Sequence, residues 1–206
     1  MARSKQIPLM SNPFQQAKFI QSAWQPADFV PDDGIEVAFA GRSNAGKSSA
    51  INVIAGQRQL ARISKTPGRT QLINFFAVDD THRLVDLPGY GYAKVPEKMR
   101  RHWRVLMQAY FDLRESLSGL IIIMDVRRPM TDFDVQMLQT AANKGCAVHV
   151  LLTKADKLSR GKAASTLLAV RRDLNDTATV QLFSAHTRLG VDEARDVLAT
   201  MMAIGA

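Results

Sequence analysis

A single cysteine, Cys146, stands among 206 residues, so no internal disulfide can form. That usage suits a reducing cytoplasm. No long apolar run occurs either. The strongest, Leu120-Ile-Ile-Ile-Met124, is far too short to cross a bilayer and reads as a buried strand. Met1-Ala-Arg-Ser-Lys5 carries positive charge with no apolar stretch behind it, so it does not read as a signal peptide. The four histidines, His82, His102, His149 and His186, are scattered, and no Cys/His pair has metal-ligand spacing. No local signature of a Ser-His-Asp nucleophile is present. Internal repeats and low-complexity segments are lacking too. These absences exclude a disulfide scaffold, a zinc module and a membrane-spanning protein. They leave a cytoplasmic globular chain, long enough to bury its own core.

What is present in excess is positive charge. The formal net charge is +8. The window Gln57 to Arg104 holds ten Lys/Arg and four Asp/Glu, so it carries +6 of that total. Arg58, Arg62, Lys65 and Arg69 form its first half. Lys94, Lys98, Arg100, Arg101 and Arg104 form its second, with Trp103 among them. A basic surface attracts polyanions such as nucleic acid, although a solvated positive face alone has the same composition.

Hydrophobic periodicity divides the chain. Residues 1–34 are polar and read as an N-terminal extension, with a short amphipathic helix over Phe14 to Trp24 ended by Pro26. From residue 35 to 206 strands and helices alternate. Strands are expected at Ile35–Ala40, Leu72–Val78, His82–Asp86, Gly119–Asp125, Ala147–Thr153 and Thr179–Phe183. Helices are expected at Lys47–Ala55, Met99–Ser116, Asp132–Lys144, Lys162–Asn175 and Val191–Ala203. The two strands around Asp79-Asp80 read as a hairpin. This pattern predicts an α/β fold: a three-layer α/β/α sandwich on a mostly parallel six-stranded sheet with one antiparallel edge strand.

Gly41-Arg42-Ser43-Asn44-Ala45-Gly46-Lys47-Ser48 matches G-x-x-x-x-G-K-[ST] between a predicted strand and a predicted helix. Glycines let the loop turn its backbone N–H groups toward phosphate oxygens, and the helix N-terminus adds a favourable dipole. Lys47 is expected at the β- and γ-phosphates and Ser48 on Mg²⁺. The loop specifies a P-loop nucleotide-binding fold without choosing the base.

Later strand ends choose it. Asp86-Leu87-Pro88-Gly89 is a D-x-x-G motif, whose Asp serves Mg²⁺ and whose Gly N–H meets the γ-phosphate. Alone it marks no more than a turn. Thr153-Lys154-Ala155-Asp156 fits the [NT]-K-x-D guanine motif. A carboxylate at Asp156 can accept from N1–H and the exocyclic amine of guanine. Adenine offers neither donor there, so it would leave the carboxylate unpaired. Phe183-Ser184-Ala185 follows the next strand and fits the S-A contact to guanine O6. Each motif stands at a strand's C-terminal end, where open α/β sheets bind ligands.

On these segments, with Lys65-Thr66-Pro67-Gly68-Arg69-Thr70-Gln71-Leu72-Ile73-Asn74 and Tyr90-Gly91-Tyr92-Ala93, residues 13 to 200 resemble the TrmE–Era–EngA–EngB group of bacterial GTPases. The resemblance is greatest to the EngB family, also called YihA or YsxC. It implies GTP and GDP as ligands with Mg²⁺ held by Ser48, Thr70 and Asp86. It implies Lys47, Thr70 and Gly89 at the reacting phosphate, and Gly68, Arg69, Thr70, Gln71 and Leu72 as switch I contacts. Thr66 is the local rival to Thr70. It implies the large ribosomal subunit and its rRNA as partner, a need in cell division and septation, and a monomer. Relatives with Asn at position 44 use it to bind K⁺ between the phosphates, so K⁺-raised hydrolysis is expected. Tyr90 stands where signalling GTPases place a water-orienting Gln, and a tyrosine cannot do this as an amide does. Slow intrinsic hydrolysis follows. Two classes stay open: a switch GTPase, and an rRNA-binding module that uses GTP only to set its shape. ATP use is disfavoured by Asp156.

Overall fold

The computed structural model describes residues 12–61, 72–91 and 96–204. Its strands are β1 (Lys18–Ala23), β2 (Ile35–Gly41), β3 (Ile73–Ala77), β4 (His82–Asp86), β5 (Leu117–Asp125), β6 (Ala147–Thr153) and β7 (Thr179–Leu182). Its helices are α1 (Lys47–Ala55), α2 (Glu97–Leu113), α3 (Asp132–Lys144), α4 (Arg160–Leu174) and α5 (Val191–Met201). The strands form one sheet in the order β1-β3-β4-β2-β5-β6-β7. β4, β2, β5, β6 and β7 run parallel, and β3 is antiparallel to both of its neighbours.

The buried strands carry apolar residues on both faces, as a sheet covered on both sides requires. Ala38, Ala40, Leu120 and Ile122 face a core built with Leu106, Tyr110, Ala141 and Val170 of α2, α3 and α4. Val37, Phe39, Ile121 and Ile123 face the opposite core, with Ile51 and Ile54 of α1 and Leu198 of α5. The three-layer sandwich is therefore as expected.

The sheet has seven strands rather than six, and the amphipathic helix expected over Phe14 to Trp24 is absent. Pro13–Gln16 forms a single 3-10 turn, and Lys18–Ala23 is β1. β1 pairs antiparallel with β3, so the antiparallel strand is the second one in, and β1 is the edge. The physical reason is local. Phe14 is fully buried against α1 and anchors the segment's start. Gln57 Nε2 then donates to the Ala17 carbonyl at 2.7 Å, which holds the chain extended beside β3. Pairing with β3 satisfies backbone groups that a helix here would leave open on β3.

A buried ion pair fastens this segment to the sheet. Glu36 is fully buried at the start of β2, and Arg114, 2 % exposed, follows α2. The guanidinium donates to both Glu36 carboxylate oxygens, and its Nη1 donates to the Val30 carbonyl at 2.7 Å. Tyr110 Oη donates to Glu36 Oε2 at 3.1 Å. Burial first, and then the Glu36 charge, push the Tyr110 phenol well above its ordinary pKa. Sequence periodicity gave no sign of this pair.

Candidate nucleotide-binding site

The C-terminal ends of β2, β4 and β6 converge, and each carries one of the sequence motifs. β2 ends at Gly41, and residues 42–46 turn into α1, whose first residue is Lys47. Gly46 caps that helix at φ +104, a conformation that favours glycine. Lys47 and Asp86 are both buried, and their side chains form an ion pair across the loop. Ser48 lies half-buried in the first turn of α1. Leu87, fully buried, donates its N–H to the Phe39 carbonyl at 3.0 Å and so ties the D-x-x-G segment to β2.

Gly89 lies directly against the P-loop. A Cβ there would stand 3.3 Å from both Cα and N of Ser43. The approach is completed by two backbone hydrogen bonds. Ser43 N–H donates to the Tyr90 carbonyl at 2.9 Å, and Tyr90 N–H donates to the Gly41 carbonyl at 3.3 Å. Tyr90 Oη donates to Asp134 Oδ1 at 3.0 Å, and its ring packs on Phe133. Burial, and then the nearby Asp134 charge, raise this phenol well above its ordinary pKa.

The end of β6 leads into the T-K-x-D segment. Thr153 Oγ1 donates to the Ala45 carbonyl at 2.5 Å, so the end of β6 holds the P-loop backbone. Lys154 is left-handed at φ 59, and its Nζ donates to the Asn44 carbonyl at 2.6 Å and to Asp125 Oδ2 at 2.9 Å. Ala155 N–H donates to the Phe183 carbonyl at 3.1 Å, which joins the T-K-x-D segment to the one after β7. Asp156 is 12 % exposed, and the fully buried Ser184 donates to its Oδ1 at 2.6 Å. That hydrogen bond holds the Asp156 carboxyl below the usual carboxylate range. A cleft of about 700 Å³ opens over Gly46, Thr153, Lys154, Asp156, Phe183 and Ala185. It is roomy enough for a nucleotide.

Sequence reasoning missed two residues here. Asp125 ends β5 directly opposite Thr153 and braces Lys154. Burial alone would raise its carboxyl, but hydrogen bonds from Arg127 and Lys154 outweigh this and hold it well below the usual range. A carboxylate at a strand's C-terminal end was the available signal, the same one that marks Asp86. Asp134 falls inside the expected helix Asp132–Lys144 and has no role in the sequence reading. Gly68, Arg69, Thr70 and Gln71 lie outside the described residues, as does Thr66, while Leu72 begins the described chain again and is half-buried.

The donors present suit Mg²⁺. Ser48 and Asp86 offer hard oxygen ligands, and the described residues hold no group of three or more His, Cys, Asp or Glu that could cage a metal by itself. Mg²⁺ is commonly held by one or two protein oxygens together with phosphates and waters. Among the described residues no helix is long and apolar enough to cross a membrane.

Comparison with known proteins agrees with this geometry. Residues 36–154 match the family model described as "50S ribosome-binding GTPase". The chain is 57 % identical over 190 residues to "Probable GTP-binding protein EngB" of Azoarcus sp. (strain BH72), covering 90 % of this chain and 91 % of that protein. The crystal structure of a probable GTP-binding protein EngB superposes with a TM-score of 0.67 at 20 % identity, over 82 % of this chain and 98 % of that one. Era in complex with MgGDPNP and nucleotides 1506–1542 of 16S ribosomal RNA superposes with a TM-score of 0.64 at 18 % identity, over 83 % of this chain and 57 % of that one. A P-loop, a D-x-x-G segment against it and a T-K-x-D carboxylate beside it thus stand on a chain that belongs to the EngB family of P-loop GTPases.

Proposed function

We propose that this chain is a guanine-nucleotide switch with slow, Mg²⁺-dependent GTP hydrolysis. It acts in assembly of the large ribosomal subunit in the cytoplasm and is needed for normal cell division and septation. The observation that carries the nucleotide reading is the Asp156 carboxylate, fixed by Ser184 at the edge of the P-loop cleft. Residues 35–206 form the GTP-binding unit, with the preceding segment as its edge.

Gly41 to Ser48 wrap the phosphates, with Lys47 at the β- and γ-phosphates. Ser48, Asp86 and Thr70 hold Mg²⁺, which when bound neutralises charge on the transferring phosphate. The buried Lys47–Asp86 pair supports this assignment. Its two charges balance each other now, and phosphate and Mg²⁺ would bring the same two signs to the same place. Gly89 donates its N–H to the γ-phosphate. Asp156, Lys154 and the segment Phe183 to Ala185 receive guanine.

Tyr90 supports the slow rate. Its hydroxyl is committed to Asp134, so it does not orient an attacking water. Asn44, exposed in the loop at φ 64, would bring K⁺ to the phosphates. The exposed Arg58, Lys98, Arg100, Arg101 and Arg104 form the rRNA-facing surface. The family model described as "50S ribosome-binding GTPase" supports that partner.

The second reading is an rRNA-binding module for which GTP is only a conformational ligand. Multiple-turnover hydrolysis separates the two, measured in KCl and in NaCl, with and without 50S subunits. The expected outcome is a slow basal rate in NaCl, a higher rate in KCl, and a further rise with subunits. Equal rates in all four conditions would remove both the K⁺ role and partner-stimulated turnover, and would favour the module.

A further inference from the structure

A second, apolar groove of about 490 Å³ lies between α2 and α3, beside the nucleotide cleft. Trp103, Met107, Phe111 and Met137 form its floor. Phe133 stands at its lip and is 47 % exposed, unusual for so large an apolar ring. Gly89, Tyr90 and Gly91 close one end, so the groove abuts the segment that meets the γ-phosphate. Its rim is basic. Arg100 and Arg104 line it, and the one acid there, Glu97, is paired to Arg100 at 2.6 Å. Arg104 has no acidic partner among the described residues, and Arg101 and Lys98 are exposed on the same helix. Trp103 is 8 % exposed and contributes apolar ring surface to the floor.

We infer that this groove receives an unpaired base of single-stranded RNA. The inference rests on the rRNA-docking reading above and names the part of the RNA that is read. A nucleotide brings both requirements in one unit. Its ring stacks on Phe133 and fills the apolar floor, and its flanking phosphates meet Arg100 and Arg104. The charge balance favours this over a neutral apolar peptide, which would leave the arginines unanswered. Duplex RNA keeps its bases stacked and cannot enter. Because the groove ends on Gly89 to Gly91, nucleotide state changes its shape, and base capture follows the nucleotide.

The test uses the full chain loaded with a non-hydrolysable GTP analogue. Fluorescence anisotropy follows labelled oligoadenylate and oligouridylate 12-mers as single strands and as their duplex. Gln136, exposed on the rim, is replaced in Gln136→Trp to fill the groove, and Phe133→Ala removes the stacking face. Arg100→Glu/Arg101→Glu serves as the charge control. The wild type is expected to prefer single strands over duplex. Both groove variants are expected to bind single strands about tenfold more weakly, with melting temperature and GDP affinity retained. Unchanged affinity in both groove variants, with loss in the charge variant, overturns base capture but leaves an rRNA-facing basic surface standing. Failure of the wild type to bind either RNA, while it still pellets with 50S subunits, overturns the inference in favour of a protein partner. A groove-dependent affinity for an acidic, Phe-containing peptide would then identify it. Failure to bind RNA or subunits overturns the docking reading itself.

Discussion

Asp156→Asn is expected to lower GTP and GDP affinity by about 30- to 3,000-fold, from a cost of roughly 2–5 kcal/mol for truncating one side of a desolvated, charge-assisted pair. The same variant is expected to gain affinity for xanthosine nucleotides. Guanine presents two donors, N1–H and N2, and both need acceptors. The carboxylate offers two. An asparagine amide offers one acceptor and one donor, which matches xanthine, whose C2 carries a carbonyl oxygen. The structure makes this substitution clean. Asp156 is 12 % exposed and is held by Ser184 Oγ at 2.6 Å, a contact that an amide oxygen at the same place keeps. The carboxyl is already held below the usual range, so its charge is lost only as pH falls beneath that range. Guanine selectivity is therefore expected to be flat with pH across the neutral and mildly acidic region. Competition titrations with GDP, XDP and ADP against a fluorescent nucleotide check all of this. A variant that keeps GDP affinity, or gains none for XDP, would remove Asp156 from base selection.

Glu36→Ala is the substitution expected to cost most in stability, about 3–5 kcal/mol by urea denaturation, because it leaves the buried Arg114 with only Asp32, at 3.5 Å, as an acidic partner. At roughly 2–4 °C per kcal/mol for a chain of this size, the melting temperature should fall by about 10 °C. The loss reaches beyond one contact. Arg114 also donates to the Val30 and Pro31 carbonyls, so the pair joins the N-terminal segment, β2 and the end of α2. The double variant Glu36→Met/Arg114→Met removes both charges together and is expected to recover most of the loss, since apolar replacement of a whole buried pair is often neutral. A single variant that costs under about 1 kcal/mol would show that water reaches the pair.

Most of the sheet and the convergence of three motifs at its C-terminal strand ends were legible because they obey local rules. Ile35 to Gly41 and Leu120 to Met124 are continuous apolar runs, as strands covered on both faces must be. Gly41 to Ser48, Asp86 to Gly89 and Thr153 to Asp156 each sit at a strand end, so topology alone brings them together. Illegible features depend on contacts distant in sequence. β1 exists because β3 offers it an edge and Phe14 finds a pocket beside α1, neither visible from Lys18 to Ala23. Asp125 acquires its task only when β5 and β6 set it opposite Thr153. Tyr90 could be read as unable to orient water, but its bond to Asp134 required α3 to be in place. The groove beneath Phe133 appears only once α2 and α3 stand side by side.

On the function proposed above, Asp156 and Lys47 bind the nucleotide, and the close Gly89–Ser43 approach couples it to the surface beside Arg100 and Arg101. Co-sedimentation with 50S subunits tests this coupling most directly, using protein loaded with a GTP analogue or with GDP at the same salt concentration. The account predicts that the analogue form pellets with subunits and the GDP form stays largely in the supernatant. Equal pelleting of the two forms, or none of either, would contradict it.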